Sequence, residues 1–241
     1  MSERLSRREF VGTSVAAALA AGSAATVGRA ERPIPPELLE AAKAERKFQL
    51  GLVTYNIAPD WDVPTIIKRC KDAGYAAVEL RTTHKHGVEP TLDKAQRQEV
   101  KKQFADSPVA LWSLGTTCEF HSPDAAEVTK HIETAKQFIE LAVDVGAKAI
   151  KVRPNGFPKE VPEEKTLEQI GKSLRTVGEA AKSAGILVCC EMHGLGTQEP
   201  AKMRRIMEIA DHPAVGVTWN SNGPDVKNGS VRESFELMRR W

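Results

Sequence analysis

Six short apolar runs, each closing on polar residues, alternate along the chain with longer segments whose apolar residues recur at helical spacing. The runs are FQLGLVTYNI (48–57), AAVELRTT (76–83), VALWSLGTT (109–117), AIKVRPNG (149–156), ILVCCEMHG (186–194) and VGVTWNSN (215–222). Between them, DVPTIIKRCKDAG, AAEVTKHIETAKQFIELAVDVG and EKTLEQIGKSLRTVGEAAKSAG end on Gly74, Gly146 and Gly185, where a left-handed C-terminal cap is expected. Strands separated by helices form βαβ units, so the strands are expected to run parallel.

The polar residues sit near the carboxyl ends of the runs: Tyr55 and Asn56, Glu79 and Arg81, Thr116 and Thr117, Lys151 and Arg153, Glu191 and His193, Asn220 and Asn222. Parallel α/β folds bind ligands at that end of the sheet. Two architectures fit, an open doubly wound sheet and a (β/α)8 barrel. The first run is followed by YNIAPDWD and not by a G-x-G-x-x-G turn, and the repeat spacing of roughly 30–35 residues suits a barrel, so a TIM barrel is expected. Six βα units are visible where a closed barrel needs eight strands, and the expectation is a barrel domain over 48–241, C-terminally incomplete after about six units.

The amino terminus reads as an address. Arg7 and Arg8, then Phe10, a weakly apolar alanine-rich run and Gly28-Arg29-Ala30 resemble a twin-arginine signal peptide over 1–30, with a proline-containing lead-in at 31–47. That predicts export through the twin-arginine machinery, a route for already folded proteins, to a periplasmic or other extracytoplasmic location. A net charge of +2 over 241 residues, with no basic run, gives no reason to expect nucleic acid as a partner. Cys70, Cys118, Cys189 and Cys190 lack CxxC spacing and read as packing residues.

Alternation along the fifth run turns Val188, Cys190 and Met192 toward the helices, leaving Leu187, Cys189, Glu191 and His193 inside. On the sixth, Gly216, Thr218, Asn220 and Asn222 face in, which makes Glu191 and Asn220 neighbours. An inward carboxylate at the rim can ligate a divalent cation, act as a general base, or pair with Lys151 or Arg153 on the adjacent strand. Glu79 is expected inside as well, paired with Arg81 or Lys151. His84 and His86 in THKHG read as a solvated loop pair, His121 as a loop residue before a helix capped by Ser122 or Asp124, His131 as a helix-surface residue and His212 as a loop residue.

The order and spacing of AAVELR, AIKVRP, LVCCEMHG and VGVTWNSN resemble the xylose isomerase-like TIM-barrel superfamily, in particular its sugar phosphate isomerases and epimerases. The resemblance implies one divalent ion (Mn, Mg, Co or Zn) held by residues closing the fifth to eighth strands. Glu191 matches the first ligand and Asn220 stands where the second is an aspartate, while the remaining two would lie beyond Trp241. It implies an exported metal-dependent isomerase or epimerase of a sugar, sugar phosphate or polyol. Glu191 would be ligand and acid/base, with His193, Lys151, Arg153 and Asn222 against the substrate. A non-catalytic sugar-binding relative, or a hydrolase or lyase like the apurinic endonucleases, uses the same scaffold; Asn220, and Gly223 where the family often has histidine, favour the former.

Overall fold

The structure is a computed structural model that describes residues 48–241; the twin-arginine segment and the lead-in lie outside the described residues. Strands β1 (Gly51–Val53), β2 (Ala77–Arg81), β3 (Ala110–Glu119), β4 (Ala149–Arg153), β5 (Leu187–Glu191) and β6 (Val215–Thr218) form one sheet. They lie side by side in chain order, and every neighbouring pair is parallel. A doubly wound sheet reverses its strand order near the middle, whereas this one never does, which is the order of a (β/α)8 barrel over six of its units.

The helices are α1 (Thr54–Ile57), α2 (Val63–Asp72), α3 (Lys94–Ala105), α4 (Ala125–Val145), α5 (Glu163–Ala184), α6 (Pro200–Ala210) and α7 (Arg232–Met238). Their ends follow local chemistry. Asp62, Asp93 and Asp124 cap α2, α3 and α4 by accepting backbone N–H groups of Thr65, Gln96 and Ala126. Gly146 and Gly185 close α4 and α5 in the left-handed conformation, as the sequence predicts, while α2 is closed by Ala73 with Gly74 following at φ 73°. Among the described residues no helix is long and apolar enough to cross a membrane.

Strand side chains alternate between a dry layer and an open face. Leu52, Val78, Leu80, Ile150, Val152, Val188, Cys190 and Val215 are buried in the same apolar core as Phe138, Leu141 and Val145 of α4 and Ile170, Leu174 and Val177 of α5. Each such side chain contributes about 1.5–3 kcal/mol by leaving water. On the opposite face Trp112 and Leu187 remain 50% and 40% exposed, so the concave side of the sheet is not filled among the described residues.

Two glycines of α5 leave room for close neighbours, one on α6 and one at the start of β6. A Cβ at Gly171 would lie 2.6 Å from the Ile209 side chain and 2.9 Å from the Ile206 carbonyl oxygen, and one at Gly178 would meet Val215 and His212 at 2.6 and 2.7 Å.

Two histidine readings change. His86 is buried, with Nε2 bonded to the Arg81 carbonyl at 2.8 Å and Nδ1 accepting the Val88 N–H at 3.0 Å, so it braces the β2–α3 loop. Loop position alone hid this, because its partners are backbone atoms. His212 is also buried at its side chain, near Glu179 and accepting the Ala214 N–H. Asp124, not Ser122, caps α4.

Candidate functional site

The sheet brings two carboxylates, from two strands, onto the ammonium nitrogen of a third. Lys151 Nζ on β4 lies 2.7 Å from Glu79 Oε1 on β2 and 3.1 Å from Glu191 Oε2 on β5. All three are largely withdrawn from water, with 13%, 10% and 15% of their side chains exposed. Strand register makes this possible: Gly115 of β3 pairs with Lys151, and Ser113 pairs with Glu79. Because residue 115 has no side chain, Glu79 can reach across β3, where a Cβ would stand 2.9 Å from its Oε1. Ser113 Oγ then donates to Glu79 Oε2 at 2.7 Å, and Thr116 Oγ1 donates to the Lys151 carbonyl at 2.8 Å.

Burial by itself lowers the affinity of Lys151 for its proton, but Glu79 and Glu191 together outweigh it and hold its pKa above the usual lysine value. Lys151 is therefore a fixed ammonium. The expected inward pairing of Glu79 is with Lys151, while Arg81 turns elsewhere: its Nη1 donates to the Thr82 carbonyl and Thr83 Oγ1, and its guanidinium sits over the Tyr55 ring.

Glu191 and Asn220 are neighbours as alternation requires, with Asn220 Nδ2 donating to Glu191 Oε1 at 3.1 Å. His193 Nδ1 donates to Asn155 Oδ1 at 3.0 Å, since an amide oxygen only accepts, and the ring is held with Nε2 as its free edge. The backbone there is tightly interlocked. Asn155 has φ 59°, and Gly194 at φ 90° has no room for a Cβ, which would meet the Asn155 backbone at 2.5 Å. Arg153 Nη2 donates to Glu119 Oε1 at 2.6 Å.

A chamber of about 330 Å³ at the carboxyl ends of the strands is lined by Lys151, Arg153, Glu191, His193 and Asn220, together with Tyr55, Arg81 and Thr116. Asn222 is not among its lining residues. Its Nδ2 donates to the Met192 carbonyl and its backbone N–H to Asp225, so it organises the turn after β6. The pairing of Glu119 with Arg153, and of Asn155 with His193, escaped the sequence. The first would have followed from extending the third strand two residues beyond Thr117, to the carboxylate at its true end.

The described residues do not by themselves make a divalent-cation site. Among the described residues no group of three or more His, Cys, Asp or Glu is arranged to hold a metal ion. Asn220 Nδ2 already donates to one oxygen of Glu191, and the Lys151 ammonium holds the other while also pairing with Glu79.

Residues 67–221 match the family model described as xylose isomerase-like TIM barrel. No curated protein matches the sequence. Among solved structures, the chain resembles IolI protein with a bound zinc atom (TM-score 0.67, 15% identity, 78% of this chain and 68% of that chain covered). It resembles D-psicose 3-epimerase with D-tagatose from Clostridium cellulolyticum H10 (TM-score 0.67, 15% identity, 79% and 70% covered). It also resembles 3-keto-D-glucoside 4-epimerase, YcjR, from E. coli (TM-score 0.64, 14% identity, 80% and 76% covered). At these identities the likeness is one of fold.

Proposed function

Because the chain belongs to the xylose isomerase-like TIM barrel family, we propose that its rim chamber moves a proton on a carbon next to the carbonyl of a small carbohydrate. This makes it a sugar isomerase or epimerase. The observation that carries the reading is the Lys151 ammonium beside the Glu191 carboxylate, both lining a chamber of a size that suits a small ligand, with Glu79 holding the ammonium from behind.

Glu191 takes the proton from the carbon, the C–H electron pair moves toward the carbonyl, and negative charge develops on the carbonyl oxygen. The Lys151 ammonium is the preorganised positive group that meets this charge, worth more here than in water because the site is largely dry. Return of the proton at the same carbon from the other face gives an epimer; return at the former carbonyl carbon, with the hydroxyl proton of the deprotonated carbon passing to the former carbonyl oxygen, gives the aldose–ketose isomer. Glu79, on the far side of Lys151 and outside the chamber lining, holds the ammonium in place. Arg81 and His193 Nε2 are placed for substrate hydroxyls, with Arg153 beside them. The resemblance to metal-dependent relatives suggests an ion of the Mn, Mg, Co or Zn type, but the described residues supply only Glu191 and Asn220, and no step is assigned to one.

The test is exchange in D2O. Protein incubated with four- to six-carbon ketoses and aldoses should place deuterium next to the carbonyl, read by NMR, and Glu191→Gln should slow this by about 10²–10⁴-fold. Binding of sugars without exchange across that panel would instead favour a non-catalytic sugar-binding relative, the reading supported by both acids already being ion-paired. Metal analysis of the same samples decides whether turnover tracks a bound ion.

Export belongs to the same proposal and rests on Arg7, Arg8 and the alanine-rich run that follows. With both arginines replaced by lysine, cell fractionation should find the protein retained in the cytoplasm.

A further inference from the structure

A second, larger cavity adjoins the rim chamber. It measures about 700 Å³ and is walled by the loops that follow β3, β4 and β5. Two hydrogen-bonded side-chain pairs separate the cavities. Arg153 lines the chamber while its partner Glu119 lines the outer cavity, and His193 lines the chamber while its partner Asn155 lines the outer cavity.

This partition has unmet bonding capacity. Arg153 Nε and His121 Nδ1 are buried with no hydrogen-bond partner, and His121 Nδ1 stands 3.9 Å from Glu119 Oε2, beyond hydrogen-bond reach. Buried polar atoms without partners cost stability, and a ligand oxygen placed at the partition would relieve that cost. Beyond it the outer cavity combines Phe157 and Pro158 with the polar groups of Glu127 and His131, and the Lys202 ammonium lies 4.9 Å from the Phe157 ring centre. Apolar surface rimmed by acceptors and donors suits a ring with C–H faces and hydroxyl edges. Each cavity falls within the roughly 300–1,000 Å³ range of small-molecule sites.

We propose that the site takes a carbohydrate of two units, a glycoside, with its carbonyl-bearing unit in the rim chamber and its second sugar unit in the outer cavity. This rests on the proton-transfer reading of the chamber and adds the class of substrate. The linking oxygen passes the partition, where Arg153 and His121 have hydrogen-bonding capacity to spare.

The test compares D-fructose with lactulose, a disaccharide that presents the same ketose bearing a second ring, by calorimetric binding and by deuterium exchange. Lactulose is expected to bind and to exchange at least tenfold better than fructose. Leu195→Trp should reduce that ratio at least fivefold, because Leu195 lines the outer cavity with 88% of its surface exposed and can be enlarged without disturbing the core. Glu127→Ala, also on a solvent-exposed residue, should reduce it too. Equal binding of the two sugars, or a ratio that neither variant moves, overturns the two-unit site. If lactulose binds preferentially and neither sugar exchanges, the two-unit site stands and the isomerase reading falls; exchange with no preference gives the reverse.

Discussion

Replacing Lys151 with methionine removes the one cation that two buried carboxylates share. Glu79 and Glu191 would then face each other less than about 6 Å apart, since both touch the same nitrogen, at 2.7 and 3.1 Å; at an effective dielectric near 20 their repulsion is about 3 kcal/mol. Deleting one member of a buried ionic group costs about 3–5 kcal/mol by the same logic of stranded charge. Ser113 and Asn220 still donate to the two acids and hold the loss toward the lower figure. The variant should therefore be about 3 kcal/mol less stable than the parent in urea unfolding at pH 8. The deficit should also depend on pH. With two anions side by side, one carboxyl in the folded variant titrates above its unfolded value near 4.3, so the folded state holds more protons than the unfolded one as pH falls toward 5. Stability of the variant relative to the parent should thus recover by at least half between pH 8 and pH 5. In the parent, the raised pKa of Lys151 contributes stability that is complete below the ordinary lysine value and is lost only as pH rises past the raised one. Glu79→Gln in the Lys151→Met background should restore most of the loss at pH 8. A deficit under about 1 kcal/mol, or one equal at both pH values, would refute the shared-cation account.

Gly171→Ala should destabilise although alanine is the better helix former by about 1 kcal/mol, because the added methyl strikes Ile209 and the Ile206 carbonyl; thermal unfolding with a raised midpoint would contradict the packing described. Gly115→Ala should push the Glu79 carboxylate off Lys151, and a crystal structure of the variant with the 2.7 Å contact intact would show that the space at residue 115 is not needed. The thiols should be sluggish: burial raises the pKa of Cys118 to about 11 and that of Cys190 further, so iodoacetamide at pH 8 should label neither in folded protein, and both in urea.

Strand residues were legible because a strand has only two faces. Once Val188, Cys190 and Met192 are assigned to the core, where all three are fully buried, Glu191 and His193 have only the rim left to them, and the register sets Thr218 beside Glu191 with Asn220 just past the strand end. The ammonium bridging Glu79 and Glu191 was half visible. The sequence offers Lys151 as a partner for either acid, but that one nitrogen serves both depends on the missing side chain of Gly115. Loops were not legible in this way. Asn222 shares the inward parity of Asn220, yet the strand ends at Thr218 and the chain has turned, so parity no longer dictates direction. His86, Asn155 and the outer cavity likewise depend on loops whose shape is set by backbone hydrogen bonds and left-handed residues.

The unbroken strand order also bears on how the molecule is made. Among the described residues each strand after β1 pairs with the one synthesised just before it, about twenty-five to forty residues earlier, so none of these pairings waits for a distant segment. A nascent chain can add each βα unit to a finished edge as it leaves the ribosome, and in that order Lys151 meets Glu79 before β5 brings Glu191 to the sheet. The lysine spends that interval with one acid for a partner, and arrival of the fifth strand brings the second acid to a charge already fixed in place.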